Sequence, residues 1–302
     1  VTGATVQCSA AVAGALADRG PVVALESSVL AQGLPIPENR TAHDRMVRAV
    51  AAAGATPAVT AVVRGTLTVG LEDVALERFL ARTGVRKAST RDLPAAMAQH
   101  ADAATTVASA MFLASLVGID ILATGGLGGV HHGAPLDESA DLIELARTPV
   151  VVVCAGVKSV LDLPATLERL ETFGVPVVGY RTDELPGFFT ATTGLRVPCR
   201  VDTVTELAAV VRAHRSLGRS TGLVIVQPPP EFAALSRDVV DAAVTGALGL
   251  AAARGIRGAA VTPFLLDAVA AATGGATLIA NLALLEANAA LAGDLAVALA
   301  RL

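Results

Sequence analysis

Pro149-Val150-Val151-Val152-Val153-Cys154-Ala155-Gly156-Val157-Lys158-Ser159 is the stretch on which the fold turns. Four consecutive valines and a cysteine, bounded by turn residues, suit a strand buried on both faces. Strands of that kind belong to parallel sheets covered by helices. Working outward, helix-like and strand-like segments alternate over most of the chain. Residues 9–19 read as an amphipathic helix and 22–25 as a short apolar strand ending at Glu26-Ser27-Ser28. A loop marked by Gly33, Pro35 and Pro37 follows, and a helix runs from about 38 to 53. Residues 58–69 read as two strands turning at Arg64-Gly65, 71–83 as a helix and 85–88 as a strand. Two helices follow, one opened by Asp92-Leu93-Pro94 and one capped by Thr105 and Thr106. Residues 120–124 form a strand, 125–133 a glycine loop and 138–147 a helix. After the valine strand come a helix to 173, strands at 175–180 and 222–226, and a helix from 203 to 217 between them. The last quarter reads as helices only, at about 236–254, 263–272 and 278–302. The expected fold is a single α/β domain over 1–302, with a mostly parallel central sheet sandwiched by helices and a helical C-terminal segment.

The buried strand breaks on a lysine, and lysine is rare here. The 302 residues hold 23 basic side chains, of which only Lys87 and Lys158 are lysine. An amine can lose its proton, attack a carbonyl and become an imine, whereas a guanidinium stays charged. An arginine-heavy codon bias is the plain alternative. Lys158 at the end of a buried strand suits a Schiff base, since apolar surroundings and a nearby second cation would both favour the free amine. A strand-end lysine reaching solvent is the competing reading. Lys158-Ser159 resembles the tail of a phosphate-binding loop, but Val151 and Val157 stand where glycines are needed, which excludes a nucleoside triphosphate site.

Ligands of open α/β sheets bind at the carboxyl ends of the strands. Glu26, Lys87, the glycine loop and Lys158 all fall at such ends. Glu26 suits a general acid or base, or a turn cap. Residues 125–133 hold five glycines in nine and two histidines. They lack the dinucleotide fingerprint and read either as a connector or as backbone approaching a ligand closely. Asp137, near a helix start, suits a cap or a ligand to a hard divalent ion.

Composition narrows the classes. Hydrophobic residues make up 53% and aromatics 3%, with no Trp, so a large core forms and a base-stacking platform does not. A net charge of −4 disfavours a nucleic-acid surface. The apolar runs are strand-sized or broken by charges such as Glu286 and Asp294, so no membrane partner is expected. Cys8, Cys154 and Cys199 have no metal spacing and suit buried free thiols in a reducing cytoplasm. The histidines form no HExxH, and G-x-S-x-G is absent. A regular aldolase barrel disagrees with the helical C-terminal quarter, and a phosphosugar-binding module needs no nucleophilic amine.

Seven segments together carry a resemblance: VVALESSVLAQGLPIPEN (22–39), VRKASTRDLP (85–94), ATTVASAMFLASLVGI (104–119), ATGGLGGVHHGA (123–134), ESADLIELA (138–146), VVVVCAGVKSVLDLPATLERLETFGVPVVGY (150–180) and TPFLL (262–266). The chain resembles the pseudouridine-5′-phosphate glycosidases of the indigoidine synthase A-like group, over nearly its whole length. The resemblance implies cleavage or formation of the C–C glycosidic bond between ribose 5-phosphate and uracil. The sugar ring opens, a lysine forms an imine at C1′, and the bond breaks by retro-addition. It implies Lys158 as the nucleophile, Glu26 as proton donor and Lys87 as a second lysine on the substrate. Val107, Ser139, Ala140 and Asp141 match further substrate contacts, Thr124 and His131 fall near the sugar phosphate, and Asp137 matches a divalent metal ligand, usually Mn2+. It also implies a cytoplasmic homotrimer. Three departures lie on the aglycone side. The stretch Ala134-Pro135-Leu136-Asp137 is shorter than usual. Gln227-Pro228-Pro229-Pro230 replaces an N-P-x-P run. A usual asparagine pair reads Ala287-Asn288, with Asn281 kept upstream. Asn281 and Asn288 are the expected aglycone contacts. The drift raises a second expectation, a C-glycosynthase attaching ribose 5-phosphate to another aromatic acceptor.

Overall fold

The valine run is the strand β8 (Val151–Cys154), buried along its whole length. A computed structural model describes residues 5–133, 136–258 and 261–301 of the chain. β8 lies between β7 (Ile121–Ala123) and β11 (Leu223–Val226), parallel to both. The sheet continues on one side through β9 (Val177–Tyr180) to β10 (Cys199–Val201), and on the other through β2 (Val22–Leu25) to β3 (Thr56–Val63). Every pairing from β3 across to β10 is parallel. Such strands are buried on both faces and therefore read as continuous apolar runs.

β3 has eight residues and joins the two parts of the sheet. Its first half pairs with β2 in parallel. Its second half pairs antiparallel with β4 (Thr66–Val69) and β6 (Ala103–Thr105). β1 (Val6–Cys8) and β5 (Arg86–Ala88) add to β4 and β6. The sheet is thus mostly parallel, as expected, with a mixed wing. The strands β1, β6 and β10 are absent from the sequence reading. Each has three residues, too few to show a period of two, and β6 is Ala-Ala-Thr.

Helices cover both faces. Seven have the expected positions to within a few residues: α1 (Ala10–Ala17), α2 (Glu38–Ala52), α3 (Asp73–Leu80), α4 (Leu93–Ala98), α5 (Val107–Leu116), α7 (Leu163–Thr172) and α8 (Val204–Ser216). Between β7 and β8 lies α6 (Ala140–Leu145), shorter than expected. Its cap is Ser139, whose Oγ accepts from the Asp141 amide at 3.2 Å, so the capping role read for Asp137 is corrected. The helices α9 (Arg237–Ala253), α10 (Val261–Ala272) and α11 (Ala276–Ala300) complete the chain. α11 is long and apolar enough to cross a membrane by length and composition. It instead packs along α2, α8 and the strands β2, β7 and β8, and its inner positions are core. The loop after Gly33 is preceded by one wide helical turn, Val29–Gly33, which the prolines and glycine had read as irregular.

Of the three thiols, all free, only Cys154 is buried, and Cys8 and Cys199 are half-buried, which corrects the expectation of three buried cysteines. Burial pushes the Cys154 thiol up to about 12. In native protein near pH 8 (about half a unit below an ordinary thiol), Cys154 is expected to resist iodoacetamide while Cys199 labels. Peptide mass spectrometry that finds Cys154 alkylated before the protein unfolds contradicts this packing.

Candidate active site

The chain winds one way from β2 to β3 and the opposite way from β7 to β8. The β2/β7 boundary is therefore the switch point of the sheet, where α/β folds open a crevice. A cleft lies there. Its lining includes Glu26, Lys87 and Lys158, together with Gly125, Gly126 and Asn281. The three residues expected to carry the chemistry thus converge from β2, β5 and the turn after β8.

Glu26 follows β2 and is buried, at 5% exposure. A buried carboxylate needs partners. Ser28 Oγ donates to Glu26 Oε2, and Thr124 Oγ1 donates across the switch point to Oε1. Alternation along the extended chain sends the intervening Ser27 the other way. Ser27 Oγ donates to the Thr60 carbonyl at 2.7 Å, and Thr105 Oγ1 to the same carbonyl at 2.9 Å. These buried hydroxyls pin the end of β2 to the mixed wing.

Lys158 is held by its backbone. After β7 and β8 the two chains keep pairing: the Leu127 amide donates to the Gly156 carbonyl at 2.9 Å, and the Lys158 amide to the Leu127 carbonyl at 3.1 Å. Gly156 has φ +84°, and an added Cβ would lie 1.9 Å from the Pro186 carbonyl oxygen, so only glycine permits this turn. Lys87 faces the open cleft from β5. Its pKa is lowered, chiefly by desolvation and next by the charge on Lys158, while Glu26 and Asp141 oppose the shift. The two amines therefore feel each other.

The glycine loop has two functions. Gly125 and Gly126 line the cleft, and a Cβ on Gly126 would meet the Phe188 ring at 2.6 Å. Gly128 and Gly129 instead pack under Ser139 and Thr166, with Cβ contacts of 2.2 and 2.3 Å. Their small size serves the protein and not a ligand, which revises the close-approach reading for that half. Asp141 is buried, and its oxygens accept from the amides of Ala108 and Gly128, both at 2.9 Å. It ties the start of α5, including the buried Val107, to the glycine loop and to Ser139 and Ala140 at the start of α6. None of those four residues lines the cleft.

Other expectations move. Thr124 is buried and reaches Glu26, so it acts on the carboxylate. His131 lines a neighbouring surface with Glu138, Asp162 and Arg169, and its amide donates to the Asp137 carbonyl at 3.0 Å. Ala134 and Pro135, in the shortened stretch, lie outside the described residues. Asp137 is exposed, and among the described residues no group of three His, Cys, Asp or Glu is placed to hold a metal ion. A single exposed carboxylate fits only a divalent ion that keeps most of its waters. Asn281 lines the cleft as expected. Asn288 does not: it is 1% exposed and spends its amide on main-chain carbonyls. The sequence reading missed Val29, Gln32, Phe188, Thr262, Pro263 and Leu266, which line the cleft together with Ser28 and Gly33. Phe188 has no local signal beyond its glycine neighbour. Its φ of +66°, unusual for an aromatic residue, follows from its amide donating to the Ala155 carbonyl at 3.0 Å.

The model of the "Indigoidine synthase A like protein" family matches residues 11–298. The chain belongs to that family. Among its relatives, the pseudouridine-5′-phosphate glycosidase of Gemmatimonas aurantiaca is 63% identical over 92% of this chain and 91% of its own length. The one of Herpetosiphon aurantiacus is 52% identical over 94% and 95%. Among solved structures, the prealnumycin C-glycosynthase AlnA in complex with ribulose 5-phosphate superposes with a TM-score of 0.91 at 38% identity, covering 98% of this chain and 97% of AlnA. An indigoidine synthase A-like protein of Thermotoga maritima gives 0.90 at 35% identity over 99% and 97%. Both named activities concern C-glycosides, and this family member is accordingly an enzyme of C-glycoside chemistry.

Lys87 generates a pH signature. If its ammonium binds the anionic sugar phosphate, raising pH removes that cation and weakens binding. Because the Lys87 pKa is lowered, the rise in KM should begin below the usual lysine value of 10.5. Lys87→Arg keeps its charge and should show no such rise, from a higher KM throughout. A KM–pH profile shared by both proteins removes Lys87 from phosphate binding.

Proposed function

We propose that the enzyme cleaves pseudouridine 5′-phosphate to uracil and ribose 5-phosphate through a covalent lysine intermediate. The observation that carries this is the convergence of Lys158, Lys87 and the buried Glu26 in one cleft at the switch point. Lys158 Nζ bonds to C1′ as the C1′–O4′ bond opens and O4′ takes a proton. The nitrogen lone pair then forms C1′=N as the C1′–C5 bond breaks, and C5 of uracil takes a proton. Water hydrolyses the iminium, releasing ribose 5-phosphate and the free amine. Glu26 is the acid in reach of these atoms. A C–C bond has no leaving oxygen to protonate, so the carboxylate pair of ordinary glycosidases has no task here.

The aglycone side supports uracil. Val29, Phe188, Pro263 and Leu266 offer an apolar wall. Beside it, the amide oxygens Oε1 of Gln32 and Oδ1 of Asn281 are buried without partners among the described residues. Unpaired buried acceptors favour a flat ligand that carries N–H donors. Uracil has two such donors, and a carbocyclic aromatic acceptor has none. A C-glycosynthase is the second reading, favoured by the likeness to AlnA.

Borohydride added to protein and ribose 5-phosphate should fix the sugar on the peptide carrying Lys158, and Lys158→Arg should give no adduct and no turnover. A trapped sugar elsewhere, or full activity in Lys158→Arg, overturns the mechanism. Asn281→Leu should leave trapping intact and lower kcat/KM for pseudouridine 5′-phosphate about ten- to hundredfold. An unaltered protein that forms the Lys158 adduct but releases no uracil from pseudouridine 5′-phosphate would move the reading to the synthase.

A further inference from the structure

We propose that Asn288 is a positioning residue for the proton donor, acting through Thr124 and braced by Gln227; this rests on the role of Glu26 proposed above. Asn288 lies seven residues after Asn281 on α11, two turns along the same helical face. The pair therefore looks alike in sequence. In the structure Asn281 opens on the cleft, while Asn288 sits beneath its floor.

Each polar atom of Asn288 has a protein partner. Nδ2 donates to the Thr124 carbonyl at 2.8 Å and the Gly125 carbonyl at 3.3 Å. Oδ1 accepts from Gln227 Nε2 at 2.9 Å. Gln227 is itself anchored, its amide donating to the Cys154 carbonyl at 3.1 Å. Thr124 then passes the constraint on. Its amide donates to the Val153 carbonyl at 3.0 Å, and its hydroxyl donates to Glu26 Oε1. The path runs from β11 through α11 to the end of β7 and across the switch point to the carboxylate.

The chemistry of the path asks for these residue types. Two carbonyls converging from successive residues need two donors in a fork, and the third partner is a donor that needs an acceptor. A side-chain amide supplies both. A leucine there would strand the Thr124 carbonyl and the Gln227 side-chain amide, and would leave the Gly125 carbonyl to the Ala155 amide alone. Gly125, whose carbonyl Asn288 holds, also lines the cleft, so the same bonds fix the floor next to the reacting sugar. A group set this way acts on the orientation of the acid and not on the affinity for substrate.

The test is a double-mutant cycle of Asn288→Leu and Thr124→Val, with kcat, KM and borohydride trapping measured on each protein. Each single change should lower kcat about tenfold or more at a KM within about twofold, with the Lys158 adduct retained. The double variant should be no slower than the slower single, because both act on one carboxylate. Losses that multiply, an unchanged kcat in Asn288→Leu, or an effect confined to KM overturn the proposal. If Asn288→Leu does not fold, Gln227→Leu takes its place. It should give a smaller loss of kcat alone, about threefold, again not multiplying with Thr124→Val, and no loss overturns the proposal. An unaltered protein that forms no adduct removes the imine reading and this role with it. An adduct accompanied by multiplying losses removes this role alone.

Discussion

The hydrogen bond from Thr124 to Glu26 spans the switch point of the sheet, and the site depends on it. β2 and β7 are neighbours whose following chains leave in opposite directions, which opens a crevice between their ends. A carboxylate buried in that crevice is costly unless hydroxyls satisfy it. Ser28 comes from the same turn, but Thr124 comes from the other side of the divide. One polar contact therefore joins the two halves of the sheet at the place where the chemistry occurs. The helix α11 lies beneath both halves and braces the contact from below.

The same economy governs the lysine. Its turn exists because two loops after adjacent parallel strands continue to pair, which sets Lys158 by main-chain bonds and leaves its side chain free for the cleft. Gly156 is the residue that allows it, since the Pro186 carbonyl occupies the space a side chain would need. Lys87 contributes a second cation near the first, and its pKa is lowered by desolvation and then by the charge on Lys158.

Much of the fold was legible because its signals are local. Four valines in a row, prolines in first helical turns and capping residues such as Ser9 and Thr203 each report their element directly. The failures were short or non-local. β6 is a three-residue alanine-rich strand that exists because β3 and β5 flank it. Asp137 had the chemistry of a cap, and Ser139, two residues on, had the geometry.

At the site, lysine scarcity and strand-end placement singled out Lys158, Lys87 and Glu26, and the structure brings all three into one cleft. Residue type carries that information, because only an amine can form an imine and a carboxylate at a strand end reaches the crevice. The tertiary structure decided what residue type leaves open. Gly125 and Gly126 serve the cleft and Gly128 and Gly129 serve packing, though all four read alike. Asn281 and Asn288 share a helix face and a chemistry, yet one meets the ligand space and the other meets two carbonyls. The apolar wall of Val29, Phe188 and Leu266 assembles from three distant segments. Contacts of that kind depend on which chain ends meet at the switch point, and no window of sequence contains them.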